Sequence, residues 1–466
     1  MGLHTKLYSP KLEEKFRAAG TNTQGHSIVC AGFCFASFAP CVRHPLRIRT
    51  VIKINGRVFG IFHAKAQSSP RAQNKIMKLK PVVFMNRVSV VLVILSIAVS
   101  TFSQDFKIVH DGIEYAEVTR EISGLKVNMN LLRLDLAKVR IDVVHAMDEA
   151  IGVEKTSSIA SRYRALAAIN AGFFRLDNSL YAGDAAGVLR IDTHDYSETY
   201  ADRVALFIMN GRSVPGPDKS GVRISRYGVK LMIDIGKNRI DLSGLNRQRK
   251  ENEIILFGPE FHRTTLTDSD GVEVVVRNSK IRQIIDGSGS TVIPDDGFVL
   301  SASGTTREEL LKYARIGLKV TKLSSMIAHV DDMAEFYSPG TLHVLAEDIV
   351  GGVPQLIKNG KIDITWEQEK STKAFVETRH PRTAVAKLKD GKFLMITVDG
   401  RSEISGGIGL QDLAEYLLSL GATDAMNLDG GGSTTMFLDG KVVNRPSDKE
   451  GERKVSDALL VMPRKR

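Results

Sequence analysis

This chain repeatedly sets Asn-Gly or Asp-Gly between apolar runs, among them "MNGRSV" (209–214), "IKNGKI" (357–362), "LKDGKFLMITV" (388–398) and "FLDGKVV" (437–443). The pair supplies the two positive φ angles of a tight hairpin, a conformation most residues resist. Strand-like runs surround these turns, among them "KVNMNLLRLDL" (126–136), "KVRIDVVHA" (138–146), "VEVVV" (272–276) and "GFVLSA" (297–302). Helical patterns are fewer. The clearest is "LQDLAEYLLSLG", where Leu410, Leu413, Ala414, Leu417, Leu418 and Leu420 make one apolar face and Gly421 stops the helix. The predicted class is α+β with β predominant: β-rich mixed sheets with a few helices packed on them, in a single large domain.

Composition misleads until the charge is mapped. The 466 residues carry a formal charge of +11, which in an evenly basic chain points to nucleic acid or an anionic membrane surface. Residues 1–100, however, hold 15 Lys and Arg against 2 Asp and Glu, which leaves 49 against 51 in residues 101–466. The basic character belongs to the leader, and no nucleic-acid partner is expected. Within that leader, "MKLKPVVFMNRVSVVLVILSIAVSTFSQ" has the parts of an export signal. Lys78, Lys80 and Arg87 form a positive start, Val88 to Val99 an uncharged apolar run, and Ala98-Val99-Ser100 a small-x-small cleavage site. The run is shorter than the about 20 apolar residues of a bilayer span. A cleaved signal is therefore preferred to an anchor, and no stable membrane span is expected in the mature chain.

Such a signal works only at an N-terminus. Residues 1–76 then read as an over-long start ahead of Met77, 77–103 as the signal, 104–155 as a strand-rich opening and 156–466 as the core. All three cysteines (Cys30, Cys34 and Cys41) lie upstream of Met77, so the mature chain has neither disulfides nor thiolate ligands. Export without disulfides fits a bacterial periplasm or exterior better than a disulfide-stapled secreted domain. The roughly 360 residues that remain suffice for one large domain or two closely packed ones.

The run "FLMITV" ends at Asp399, the Leu410 helix follows, and "DAMNL" leads to Asp429. Strand, helix, strand of this length is a crossover pattern, which runs the two strands parallel and projects both aspartates from one edge. A third run, "ALAAI", ends at Asn170 and passes into "AGFF" (171–174). Three strands ending in Asn or Asp beside small residues predict a shared rim, where sheets with parallel strands place ligands. There "NLDGGGSTTM" (427–436) sets Gly430, Gly431 and Gly432 after Asp429. They are either a plain corner needing positive φ or bare backbone presenting N–H groups to an anion. The chain holds a control, because "LDG" recurs at Leu438-Asp439-Gly440, where Asp439 reads as an ordinary hairpin residue. G-x-x-x-x-G-K-[ST] is absent, so a mononucleotide phosphate loop is unsupported, and "GSGS" (287–290) is too weak to carry a reading.

Arg382 and Thr383 open the strand of "HPRTAVA", Arg401 follows Asp399 in "VDGRS", and "RPSDKEGERKVSDALLV" adds Glu452, Arg453 and Asp457 before a C-terminal strand. A lone Arg at a strand end is a solvated surface residue. Several of them, with carboxylates and a glycine corner, suit a bidentate grip on phosphate. One such charge pair at ~4 Å is worth about 4 kcal/mol at an effective dielectric of about 20, before desolvation.

"NAGFF", "HPRTAVA", "VDGRS", "GLQDLAEYLLSLGATDAMNLDGGGSTTM" and "VNRPSDKEGERKVSDALLV" closely resemble the phosphodiester glycosidase family. "GGVPQLIKNGK" (351–361) and "IPDDGFVLSASG" (293–304) are similar to its pattern too. The resemblance covers most of residues 105–463. Residues 215–250 match loosely, and Ala171 stands where many relatives carry a second Gly. It implies a single catalytic domain that hydrolyses a glycosyl-1-phosphodiester, of the N-acetylglucosamine-1-phosphodiester kind, at the sugar C1–O bond of a phosphorylated glycan. Bacterial members are often labelled exopolysaccharide-related.

A phosphate monoester leaves as a stable anion, so this chemistry needs charge stabilisation and a carboxylate for water or for C1. On that reading Asp429 and Asp399 are the preferred catalytic carboxylates, with Asp399 equally a turn cap, and Glu452 is the third choice. Arg382, the Gly431 and Gly432 N–H groups and Ser433 take the phosphate, with Thr383, Gly172 and Arg401 beside them. Asn170 and Asn427 hold sugar hydroxyls or the attacking water. His380 is an acid or a packed or capping histidine, Arg453 a substrate contact or a buttress for Glu452, and Asp457 a partner of Arg453. No cofactor is implied and no metal set is evident, since H-E-x-x-H and clustered histidines are absent, although two carboxylates could hold Mg²⁺ or Ca²⁺ through oxygen. The competing class is a non-catalytic envelope protein that holds anionic polysaccharide. One Trp (Trp366) and 6% aromatic residues do not favour the sugar-stacking surface such a binder would use.

Overall fold

Antiparallel pairing dominates, as the hairpin signals require. A computed structural model describes residues 105–210, 221–327 and 343–464, with a short antiparallel pair of Lys53–Ile54 and Arg57–Val58. The export signal at 77–103, the extension 1–76, the three cysteines and most of the "MNGRSV" hairpin lie outside the described residues. Met1–Ala98 and Val99–Arg466 are separate compact units, and the second holds all the elements below. Among the described residues no helix is long and apolar enough to cross a membrane.

The elements that carry the site are, in chain order, β1 (Leu125–Leu134), β2 (Val139–His145), α1 (Thr156–Tyr163), β3 (Ala167–Asn170), α2 (Lys373–Glu377), β4 (Arg382–Leu388), β5 (Phe393–Val398), α3 (Leu410–Ser419), β6 (Ala422–Asn427), β7 (Met436–Leu438) and β8 (Asp457–Pro463). An eight-stranded sheet runs in the order Lys361–Ile362, Gln355–Lys358, β6, β4, β5, β1, Ile113–Ile122 and Lys107–His110, each strand antiparallel to the next. A five-stranded sheet of Lys441–Val442, β7, β3, β8 and β2 is likewise antiparallel throughout. Residues 189–351 contribute three further sheets, and these include the one parallel pairing among the described strands, Gly244–Leu245 beside Ile254–Phe257.

β5 and β6 do run parallel, but they are not neighbours. β4 lies between them and is antiparallel to both. The crossover through α3 therefore skips one strand, and the apolar "RTAVA" run fills the gap. The consequence for the rim is the predicted one, since β5 and β6 end, and β4 begins, at the same edge (Arg382 opposite Val398, Ala384 opposite Asn427).

Both faces of this sheet are covered. Val385, Phe393, Met395 and Met426 pack with Ile141, Ile169, Leu459 and Val461 of the second sheet. Ala384, Ala386, Leu394, Ile396 and Val398 point the other way, onto Leu410, Leu413, Ala414 and Leu417 of α3. Successive side chains of a strand alternate between faces, and both faces here are apolar, which is why these strands read as unbroken hydrophobic runs. Gly421, at φ +88°, ends α3 where the sequence placed its stop. Asn359-Gly360 and Asp439-Gly440 have the paired positive φ of two-residue turns. "LKDGKF" differs: only Gly391 is left-handed, in a longer loop closed by the Leu388 N–H on Lys392 O.

Candidate active site

The three predicted strand ends meet. Asn170, at the end of β3, is wholly buried. Its Nδ2 donates to Asp429 O (2.7 Å), and its Oδ1 accepts from Thr383 Oγ1 (2.8 Å) and from the Thr435 N–H (3.1 Å). The Asp429 N–H returns to Ala171 O (2.9 Å), and the Leu428 N–H reaches Thr383 O (2.9 Å). Asn170 and Thr383 were expected on the substrate. They are instead the stitching that fixes β3, β4 and the chain after β6 to one another, and their polar groups are engaged in it. Gly172 is engaged in the same way: its N–H is held by Asp457 Oδ1 (2.6 Å), and a Cβ there would lie 3.1 Å from that oxygen.

Each glycine of the triplet answers a different demand. A Cβ on Gly430 would sit 2.8 Å from Pro381 O. Gly431 has φ +62°, which side chains rarely adopt. Gly432 lies under the Arg453–Asp448 ion pair, where a Cβ would come 2.2 Å from Arg453 Nη2. Gly431–Ser433 form one 3₁₀ turn. The expected row of amides is partly occupied, since Gly431 N–H donates to Pro381 O (2.8 Å) and Gly430 N–H to Asp429 Oδ1 (2.9 Å). On the turn and the chain segments flanking it, Asn427 Oδ1, Ser433 Oγ, Thr434 Oγ1, Thr435 Oγ1 and Ser447 Oγ are buried without partners. An orphaned buried polar atom costs about 1–3 kcal/mol, so a cluster of them marks a place made to bond something further. The rest of Asn427 is engaged, its Nδ2 donating to Val353 O (2.7 Å) and Leu428 O (2.8 Å).

Asp429 keeps some exposure, yet its carboxyl is desolvated, and burial pushes its pKa up to about 6. The Gly430 N–H, Arg453 and the nearby Ser433 hydroxyl oppose that rise, although Ser433 Oγ falls short of hydrogen-bond geometry; Asp457 adds to it. Asp399, also buried, has its pKa raised by desolvation against the Asn444 Nδ2 (3.3 Å) and Arg445 N–H (3.0 Å) bonds to its Oδ1. Asn444 also donates to Thr434 O (3.0 Å) and accepts the Met436 N–H (2.7 Å). One side chain thus ropes Asp399 to the glycine turn. Sequence reading passed over Asn444, whose only signal was its place in "VNRPSD".

Arg382 is engaged by backbone carbonyls. Its side chain is buried, with Nε on Ile408 O (3.3 Å) and Nη2 on Phe375 O (2.7 Å) and Thr378 O (2.8 Å), and it stacks 4.8 Å over the Phe375 ring. Burial, then the Arg401 charge, pushes its pKa down to about 10. A guanidinium so engaged by carbonyls clamps the chain locally. The cations that do face the turn are Arg401 and Arg453. Arg401 is exposed, its Nη2 stands nearest the space above Gly431, and no described carboxylate pairs with it. Arg453 lies over Gly432, held by Asp448 (2.8 and 3.2 Å). His380 Nδ1 is 3.4 Å from Arg401 Nη2. Burial, followed by Arg382 and Arg401, lowers its pKa and so disfavours a protonated acid.

Glu452 is engaged at a helix end. Its two oxygens accept the Ser157 N–H (2.7 Å) and the Ser157 hydroxyl, at the N-terminus of α1. A carboxylate there satisfies an orphan donor and meets the positive end of the helix dipole. Arg453 therefore does not buttress it, and Asp457 does not pair with Arg453. Asp457 is buried, taking the Gly172 N–H and the Ser456 hydroxyl opposite His145 on β2. Glu452→Gln is expected to lower stability by about 0.5–1 kcal/mol through the weakened cap while leaving turnover essentially intact. Denaturant melts and steady-state rates check both halves.

Comparison with known proteins covers part of this chain. The phosphodiester glycosidase family model matches residues 270–462, so the resemblance holds across the strands and turns that carry Asp399, Asp429 and Arg453. Mouse (Mus musculus) N-acetylglucosamine-1-phosphodiester alpha-N-acetylglucosaminidase is 31% identical over 165 residues, covering 34% of this chain and 30% of its own length. The SPbeta prophage-derived uncharacterized protein YomE of Bacillus subtilis (strain 168) is 43% identical over 91 residues, 20% of this chain and 14% of its own. The matches thus span less than a third of these curated relatives. A crystal structure of a hypothetical protein from Synechocystis superposes with a TM-score of 0.64 at 23% identity, over 76% of this chain and 62% of that one. That likeness establishes the fold.

Proposed function

We propose that residues 105–464 hydrolyse a glycosyl-1-phosphodiester at the sugar C1–O bond, releasing free sugar and a phosphomonoester. The observation that carries this reading is the desolvated Asp429 carboxylate next to the glycine turn and the orphaned Ser433 and Thr434 hydroxyls, with the Arg401 and Arg453 guanidiniums over that turn. A leaving phosphate needs no proton, but it needs its developing charge met. Arg401, Gly432 N–H and the Ser433 hydroxyl are suited to the phosphoryl oxygens, with Arg453 behind them. Asp429, ionised above about pH 6, serves water or C1, and Asp399 is the second carboxylate, oriented from the Asn444–Arg445 loop. The name of the mouse relative makes an N-acetylglucosamine-1-phosphodiester the first substrate to try. Export through the 77–103 signal, toward an envelope or extracellular glycan, belongs to the same proposal.

Hydrolysis in oxygen-18 water tests the bond cleaved. Label is expected in the anomeric hydroxyl of the released sugar. Label in the phosphate would mean attack at phosphorus, and the glycosidase reading would fall.

A further inference from the structure

Beside the site, residues 172–187 fold into a hairpin. Phe174 bridges Ala185, the Arg175 N–H reaches Asp184 O (2.8 Å), and the Ala186 N–H reaches Phe173 O (2.7 Å). Its base continues directly from Asn170 and Ala171, which hold Asp429. Phe173 lines two adjoining narrow hollows at that base, one shared with Gly172 and Asp457, the other opening toward Tyr200 and Arg203. The Phe173 ring itself meets Phe375 of α2 edge-on, with centroids 6.1 Å apart and planes at 63°. Arg382 covers the Phe375 ring at 4.8 Å and holds its carbonyl. The residue before Arg382 supplies Pro381 O, which accepts the Gly431 N–H and limits Gly430.

From these contacts we infer that Phe375 and Arg382 are positioning residues. The guanidinium braces the Phe375 ring, that ring braces Phe173, and Phe173 sets the hairpin wall of the site, while the same segment at Pro381 sets the glycine turn. At its base the hairpin presents the Phe173 ring with Gly172, Ala185 and Ala186, whereas Arg401 and Arg453 stand over the glycine turn. The braced wall therefore belongs to the sugar end and the guanidiniums to the phosphate end, a division that rests on the proposed reaction. The brace does not depend on it.

Hydrogen exchange on the whole chain tests the brace without any substrate. Phe375→Leu keeps apolar volume but loses the ring, and Arg382→Lys keeps charge but loses the planar fork that serves several carbonyls at once. An aromatic pair contributes about 0.5–1.5 kcal/mol, so the Arg175, Gly183 and Ala186 amides are expected to exchange about twofold to tenfold faster in both variants. Amides within α3 should not change. Phe375→Tyr restores a ring at a partly exposed position and should restore protection. Unchanged hairpin exchange in Phe375→Leu would overturn the brace, even if Arg382→Lys failed to fold. With a glycosyl phosphodiester, Phe375→Leu should raise KM several-fold more than it lowers kcat. Loosened amides with an unchanged KM would reject the sugar-wall role. An inactive wild type would reject the reaction and leave the exchange result to decide the brace.

Discussion

Asp429→Asn is expected to remove nearly all turnover while leaving the protein as stable at pH 7.5 as before, or more so. The two effects share one cause. Burial raises the Asp429 pKa to about 6, well above the usual carboxylate value of about 4. Between those two values the native state binds more protons than the unfolded chain, so its stability falls as pH rises through that window and stays lowered above it. Asparagine keeps the shape and an oxygen for the Gly430 N–H but carries no charge to desolvate. Catalysis runs the opposite way, since only the ionised carboxylate can assist water or attack C1. The wild-type rate should therefore climb with an acid limb near pH 6, and the variant should lose about 10²–10⁴-fold in kcat, the span typical of a positioned proton-transfer group. Turnover close to wild type would remove Asp429 from the chemistry. An acid limb near pH 4 would show that the rate-controlling carboxylate lies in a more solvated setting.

What could be read in advance follows from the range of the interactions involved. Asp439-Gly440 and the α3 stop at Gly421 are local, and each is fixed by residues within one turn of itself. The shared edge of β5 and β6 was also legible, because a crossover constrains direction whichever strand lies between. The position of β4 between them was not, since an apolar strand with two buried faces carries no mark of its neighbours. The site residues divide along the same line. That Asp429, Asp399 and the glycines would converge was implied by three similar strand ends. Some of their partners lie on chain 200 or more residues away, as with Asn170 and Asp429 or Ser157 and Glu452. Arg382 misled for a related reason. A guanidinium at a strand start looks the same in sequence whether it faces phosphate or the carbonyls of Phe375, Thr378 and Ile408, and only the path of α2 decides between them.

Asn170→Ala should be among the most damaging single changes in the chain, although this reading gives Asn170 no contact with substrate. The amide is completely buried and serves three partners from two segments: Asp429 O and the Thr435 N–H on the connection after β6, and the Thr383 hydroxyl on β4. Alanine leaves all three unpaired in a site that β3, β4 and the second sheet close to water. At about 1–3 kcal/mol for each orphaned group, with partial relaxation, the expected loss is about 3–5 kcal/mol. Turnover of the folded fraction should fall as well, because the bond to Asp429 O fixes the residue that presents the carboxylate, and a displacement of about 1 Å can cost about 100-fold. Asn170→Asp separates the two roles. It keeps acceptors for Thr383 and Thr435 but loses the donor to Asp429 O and adds a charge close to Asp429 and Asp457. It should recover part of the stability and little of the activity. If both variants instead fold and turn over like wild type, the corner is held by the backbone ladder alone, and the convergence of β3 on Asp429 has no bearing on catalysis.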